Sequence, residues 1–480
     1  MPRASTSSAA PRPARSLASR LARSVVSAAL AVTLLGATAA AQAPFEPAGS
    51  QVLFGMWFDS STEYGDSPSA INQKLGFNVP VFQMAQVIPR LPFNYVTGSG
   101  GPAPENTIEE SETDAAVFLT VYPTTGFNNV TTDDFTILAQ QILVYQTTYN
   151  RTVFLRYAPE MQGTWMAYGQ EPTQFLASWK EMYTTVKATA PDTIMVWAPN
   201  TGQGYPYGQT SQFAAASAAD QALLDTNGDR EFNYLDDPYS PYWPGEEYVD
   251  WIGLSIYYKG IPSDARNTLQ ADGYCHNVMN GWDPSANRNM TSWYTEYCEK
   301  YPTKACMFAE AGAAFHEDDG GVSEEAIQQA WLKDCVVNTT MYEIHPRLKM
   351  YMHFEYEKEE TSNDLTPQGD YDDMRDYRLT NNSVVLAELV SDLSAAGTLF
   401  TWAQSRALPT SVSSAGAPAP KTDSAGSTIQ NAITATTRAK PTGFPSLFGT
   451  SGASQAAEWA ELGILVAAGA MGAWTVMRTL

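Results

Sequence analysis

Phe154-Leu-Arg-Tyr-Ala-Pro-Glu160-Met-Gln-Gly-Thr-Trp165 is the stretch on which the reading of this chain turns. It opens as an apolar and aromatic run of the kind a buried strand needs. It ends in a carboxylate, a glycine and a tryptophan, where such a strand yields to a loop. A second run, Ala305-Cys-Met-Phe-Ala-Glu310-Ala-Gly312, is built in the same way. If both strands belong to one closed parallel barrel, Glu160 and Glu310 stand on the rim where such barrels build their sites.

Outward from these two runs, strand-like and helix-like segments alternate. Strands are expected at residues 51–58, 79–84, 115–122, 152–158, 193–198, 249–256, 304–310 and 349–354. Helices are expected at 67–75, 132–149, 172–189, 324–337 and 383–395, with Asp133 near the start of the second, Pro172 in the first turn of the third and Ser323 as a cap of the fourth. Residues 87–113 are rich in Pro, Gly and acid and read as a long rim loop. Eight strands with crossover helices predict an α/β fold, a (β/α)8 TIM barrel.

The ends differ in composition. Residues 1–43 hold five Arg and no acid, then a short run of small apolar residues and Ala41-Gln42-Ala43, the pattern of a secretory signal peptide. The barrel domain is expected over 44–404. Residues 405–457 form a Ser/Thr/Ala/Pro-rich stretch, read as a disordered stalk, and 458–480 an apolar tail. Ser451, Gly452 and Ala453, a polar spacer and that tail resemble a lipid-anchor signal; a membrane segment is the rival reading.

The formal charge of −23 argues against nucleic acid or anionic membrane surfaces as partners. Sequons at Asn129, Asn150, Asn289, Asn338 and Asn381 predict N-glycans on an exported, extracellular or surface-anchored chain. Cys275, Cys298, Cys306 and Cys335 lack metal-site spacing and predict two disulfides. Three connectivities are open, with Cys275–Cys298 and Cys306–Cys335 preferred.

Cleaving a glycosidic bond with retention takes two carboxyl groups ~5–5.5 Å apart, one donating a proton and one attacking the anomeric carbon. Glu160 and Glu310 are the candidates, and Tyr257 is placed to hydrogen-bond Glu310. Arg156-Tyr-Ala-Pro-Glu160-Met-Gln-Gly-Thr-Trp165, Tyr168-Gly169, Val196-Trp-Ala-Pro-Asn200, Val249-Asp-Trp-Ile-Gly-Leu-Ser-Ile-Tyr257 and Phe308-Ala-Glu310-Ala-Gly312 together resemble glycoside hydrolase family 26. The resemblance spans roughly residues 50–400. It implies a retaining enzyme, mainly of the β-mannanase type, with Glu160 as acid/base and Glu310 as nucleophile. Mannanases of that family usually carry His before the acid and Asn two residues after it; Pro159 and Gln162 stand here instead. That departure bears on mannose specificity more than on hydrolysis.

Arg156, Trp165, Tyr257 and Trp197 are the expected substrate-binding residues, with Tyr168 and Trp57 as further sugar platforms. Glu355 is expected in a solvated charge run. Asp225, Asn227, Asp229 and Asp236 have the spacing of a calcium loop, although Arg230 stands where glycine is expected. No other cofactor is implied. The resulting expectation is a surface-tethered endo-β-glycosidase acting on a polysaccharide, most simply mannan. The alternatives are an endo-β-glucanase of the same fold and a catalytically silent wall-binding protein.

Overall fold

Eight parallel strands form the centre of the computed structural model: β1 (Val52–Phe58), β2 (Val81–Val87), β3 (Ala116–Tyr122), β4 (Val153–Tyr157), β5 (Ile194–Trp197), β6 (Trp251–Tyr258), β7 (Ala305–Ala313) and β8 (Leu348–Glu355). Each pairs with its neighbour in sequence, and β8 pairs back onto β1, so the sheet closes into a (β/α)8 barrel. The structure describes residues 42–60, 66–90, 93–94, 99–100, 108, 111–207, 210–260, 266–284, 286–362 and 371–406. The expected apolar tail, all but two residues each of the expected stalk and leader, and most of the expected 87–113 loop lie outside them. No helix among the described residues is long and apolar enough to cross a membrane.

Two apolar sets hold the barrel. Phe118, Phe154, Val196, Trp251, Met307 and Met350 belong to the set that fills the interior. Their neighbours in sequence, such as Val117, Leu155 and Ile252, face the helices. This is the period-two alternation of strands buried on both faces, which read as continuous apolar runs.

The main helices are α1 (Pro68–Leu75), α2 (Thr132–Thr147), α3 (Pro172–Thr189), α4 (Glu324–Trp331) and α5 (Ser383–Ala395). Ser67 caps α1 and Ser323 caps α4. Thr131 and Asp134 form a reciprocal capping box for α2, so the acid that matters is the one after Asp133. The expected fourth helix does not run on as α: beyond Trp331 it continues as a π-helical turn, Leu332–Val336.

The floor of the barrel is closed by residues just after the leader. Ala43 is buried with the interior set, and the compact unit begins there, one residue before the expected start of the mature chain. Trp251 Nε1 donates to the Pro44 carbonyl at 2.8 Å, and Phe45 packs edge-on to Phe154. Arg347 grips the Glu46 carboxylate with two bonds of 2.7 and 2.9 Å.

The disulfides are Cys275–Cys335 and Cys298–Cys306, which corrects the preferred pairing. Cys298 lies in a π-helical segment, Tyr294–Glu299, that comes immediately before β7, while Cys306 is the second residue of β7. The bond therefore ties the strand carrying Glu310 to the helix before it, not to the one after. Cys275 sits in a short helix of the β6–β7 connection, Tyr274–Met279, that packs against the π-helical turn holding Cys335.

Candidate active site

β4 delivers Glu160 through a sharply bent exit. Ala158 and Glu160 both have positive φ, 44° and 55°, a backbone region that costs an L-residue energy unless its surroundings enforce it. The enforcement is visible. Ala158 N–H bonds to Val121 O on β3, and Glu160 N–H bonds to Ala198 O just after β5, both at 2.9 Å. Gly163 then allows the chain to fold back, since a Cβ there would lie 2.4 Å from the Trp165 ring. Trp165 Nε1 donates to Glu160 Oε2 at 2.7 Å.

β7 delivers Glu310 by another device. Phe308 pairs with Leu254 on β6, but Glu310 pairs with Ser255, so one residue, Ala309, is bulged out of register. Strict alternation after the inward-facing Met307 and Ala309 would turn Glu310 outward. The bulge resets the phase and turns it in. There Arg156 Nη1 bonds Glu310 Oε2 at 2.6 Å, and the Tyr257 hydroxyl donates to Oε1.

Arg156 also reaches β6: its Nη2 donates to Ser255 Oγ at 2.6 Å. Burial pushes the Glu160 carboxyl above the ordinary glutamate range, and the charge of Glu310 pushes it further. Arg156, Ser255 and Trp165 oppose that shift without cancelling it. Burial works against the charge of Arg156, but Glu310, Tyr122 and Glu160 together outweigh it and keep the guanidinium charged. Burial and Glu310 together hold Tyr257 well above the usual phenol range, so it stays a donor.

The expected site residues divide. Glu160, Glu310 and Tyr257 come together on the inner rim. Trp165 is there too, 47% exposed, edge-on to Tyr207 with ring centroids 4.9 Å apart. Arg156 is fully buried beneath the pair, so it positions Glu310 and offers nothing to a substrate. Trp197 is not a platform: it is fully buried among Trp243 and Tyr297, and its Nε1 donates to Tyr242 O. Tyr168 and Trp57 are likewise core residues, Tyr168 donating to Pro159 O and Trp57 packing on Phe354. Their faces are covered because inward positions below the rim and outward positions both meet packed neighbours.

Glu355 is buried, not solvated. It accepts from the N–H groups of Leu379 and Thr380, both at 2.9 Å, and folds the chain back across β8. That returning segment brings Tyr377 behind Tyr257, with ring centroids 5.4 Å apart. In the expected calcium loop, the carboxylates turn on the loop's own amides: Asp225 accepts from Arg230 N–H, and Asp236 from those of Thr226 and Asn233. Among the described residues, the acid clusters tight enough to share an ion lie elsewhere.

Ser255 is not singled out by the sequence, and Gln162 only as a departure from the motif of the family the chain resembles. Ser255 shares the inward face of β6 with Tyr257, two residues on, which was a usable signal. Gln162 makes a paired contact with the backbone of Asn200 at 2.6 and 3.2 Å and so clamps the β4 exit to the β5 exit. Only the fold reveals that contact.

No family model and no curated protein matches the chain. Solved structures do. A Cellulomonas fimi endo-β-1,4-mannanase double mutant aligns over 73% of this chain and 72% of its own, at 11% identity and a TM-score of 0.42. The catalytic domain of a GH26 endo-β-1,4-mannanase from Bacillus sp. JAMB-750 aligns over 73% and 87%, at 12% and 0.42. GH26C from Muricauda sp. MAR_2010_75 aligns over 74% and 88%, at 12% and 0.44. At these identities and TM-scores the likeness assigns no residue and no activity. The site must be argued from its own atoms.

Proposed function

We propose that the protein is a retaining glycoside hydrolase of the family 26 type, acting on a β-linked polysaccharide by double displacement. The observation that carries this reading is the asymmetry of the two rim carboxyls. Glu310 is held between a buried guanidinium and a phenol hydroxyl, which together fix both its oxygens and aim it. Glu160 is pushed toward its neutral form by burial and by Glu310, a setting that keeps a proton ready for a leaving oxygen. A fixed carboxyl beside one kept protonated is what a nucleophile and acid pair requires.

In the first step, Glu310 attacks the anomeric carbon while Glu160 gives its proton to the departing oxygen. Trp165 Nε1 donates to Oε2, so the mobile proton resides on Glu160 Oε1. In the second step the ionised Glu160 takes a proton from a water whose oxygen bonds to the anomeric carbon, and the bond from that carbon to Glu310 breaks, leaving Glu310 as carboxylate. Trp165, exposed beside the acid, offers an indole face for a pyranose on the leaving-group side.

Mannan is the leading substrate, by resemblance. Pro159 lacks the imidazole that mannanases of the family place before the acid, and its carbonyl is taken by Tyr168. A β-glucan is therefore the substrate to run beside mannan. The leader, N-glycans and C-terminal tether complete the proposal of a secreted, surface-held enzyme. Asn129, Asn150, Asn289 and Asn381 are exposed for glycosylation. The test is product analysis on mannan, mixed-linkage glucan and xylan. Oligosaccharides released from mannan with the β-configuration retained are expected. Binding without turnover on all three glycans would overturn the proposal in favour of a silent wall-binding protein.

A further inference from the structure

Beneath the carboxyl pair, three polar side chains face the barrel axis on consecutive strands. Gln83 on β2 is 1% exposed, and Thr120 on β3 and Arg156 on β4 are fully buried. Each lies on the inward face: Gln83 follows inward Val81, Thr120 follows inward Phe118, and Arg156 follows inward Phe154. Thr120 is paired with Arg156 across β3 and β4, and Ala85, two residues above Gln83, is paired with Thr120 across β2 and β3. The three therefore form one polar patch on an otherwise apolar inner wall.

Four atoms of that patch find no hydrogen-bond partner among the described residues: Gln83 Nε2 and Oε1, Thr120 Oγ1 and Arg156 Nε. Buried polar groups are almost always partnered, and each orphan costs the free energy of desolvation. Four orphans on three adjacent strands, one of them on the residue that grips Glu310, need a common explanation.

We propose that Gln83, Thr120 and Arg156 form a binding site for ordered water inside the barrel, and that this water sets the plane of the Arg156 guanidinium. The chemistry selects the guest. Arg156 Nε and Gln83 Nε2 need an acceptor, Gln83 Oε1 needs a donor, and the Thr120 hydroxyl takes either role. Arg156 repels a cation, and the charge of Glu310 on the rim repels an anion. A neutral molecule that both donates and accepts is required, and among the buried apolar side chains of the interior, Phe118, Phe154 and Met352 included, water is the smallest that meets those roles. A buried water typically makes about three such bonds. With Nε engaged from below, Nη1 is aimed at Glu310 and Nη2 at Ser255, so Gln83 and Thr120 become positioning residues for the nucleophile.

Two measurements decide this. The first is a high-resolution crystal structure of the ligand-free wild-type protein. Density for water bonded to Arg156 Nε and to Gln83 or Thr120 is expected; a Gln83 amide bonded directly to Arg156 or Thr120, with nothing between, overturns the site. This arm stands whether or not the protein is a glycosidase. The second arm rests on the proposed activity. Thr120→Val keeps the volume but removes the hydroxyl, so kcat should fall roughly fivefold, the effect of one hydrogen bond, with KM within about twofold. Thr120→Ser should restore it. Equal kcat in Thr120→Val and wild type, with the water present, would overturn the positioning role.

Discussion

Glu160 and Glu310 end two strands that read alike in sequence, yet the structure treats them as opposites. The β7 exit is rigid by construction: a disulfide at its base, a bulge that turns the side chain inward, and a guanidinium and a phenol that fix both carboxylate oxygens. The β4 exit is held mostly through backbone, with two positive-φ residues, and its carboxyl leans on an indole that is half open to solvent. The difference teaches how, under the proposed mechanism, one residue type would be given two jobs. A nucleophile needs an ionised and aimed oxygen, whereas an acid that later acts as a base needs a proton that can leave and return.

The largest expected effect breaks the comparison outright. Glu310→Ala should abolish turnover, by on the order of 10³-fold or more, for every substrate. Glu160→Ala should lose about 10²–10⁴-fold on polysaccharide but much less on an aryl glycoside, whose leaving group needs no proton. Steady-state rates on both substrate types read this out. Equal losses for the two variants on the aryl substrate would dissolve the assignment of roles.

A smaller effect sharpens it. The Trp165 N–H favours the charged form of Glu160, so Trp165→Phe should raise the Glu160 pKa further. Activity that depends on protonated Glu160 is lost as pH rises through that pKa. The alkaline limb of kcat/KM should therefore move to higher pH in the variant, while the acid limb stays. A limb that moves to lower pH would place the acid's proton under some other control.

The smallest effect is on stability. A carboxyl whose folded-state pKa is raised contributes stability that is fully present below its unfolded pKa and is lost as pH rises through the folded one. Glu160→Gln removes that loss while keeping the side chain's shape. The variant should melt above wild type by roughly 1–3 °C near neutral pH, a fraction of what ~1 kcal/mol gives in a domain of ordinary size. The gap should close once pH falls below the ordinary glutamate range. Thermal melts across pH measure it, and a gap that persists in acid would assign the gain to packing instead of charge.

Much of this was legible in the chain. Eight apolar runs, the cap Ser323 and the two strand-end glutamates follow from periodicity and local chemistry, because strand and helix repeats are written in neighbouring residues. Burial of an aromatic is not. Trp197 and Trp165 both stand near strand ends in similar surroundings, yet Trp243 and Tyr297 cover one, while Gly163 folds the other back onto Glu160. The disulfide pairing failed for a similar reason, since it depends on which helix lies against the start of β7.

By itself the sequence determined that eight strands would close and that Glu160 and Glu310 would be carried near one rim, since hydrophobic period and strand count suffice for that. Only the tertiary structure decided that Glu310 faces the axis. Counting by twos from Met307 turns it toward the helices, and the bulge at Ala309 exists because β7 must match β6 and β8 at once. The same holds for Arg156, which one strand cannot assign to a partner. It meets Glu310, not the nearer-in-sequence Glu160, because closure brings β4, β6 and β7 around one axis.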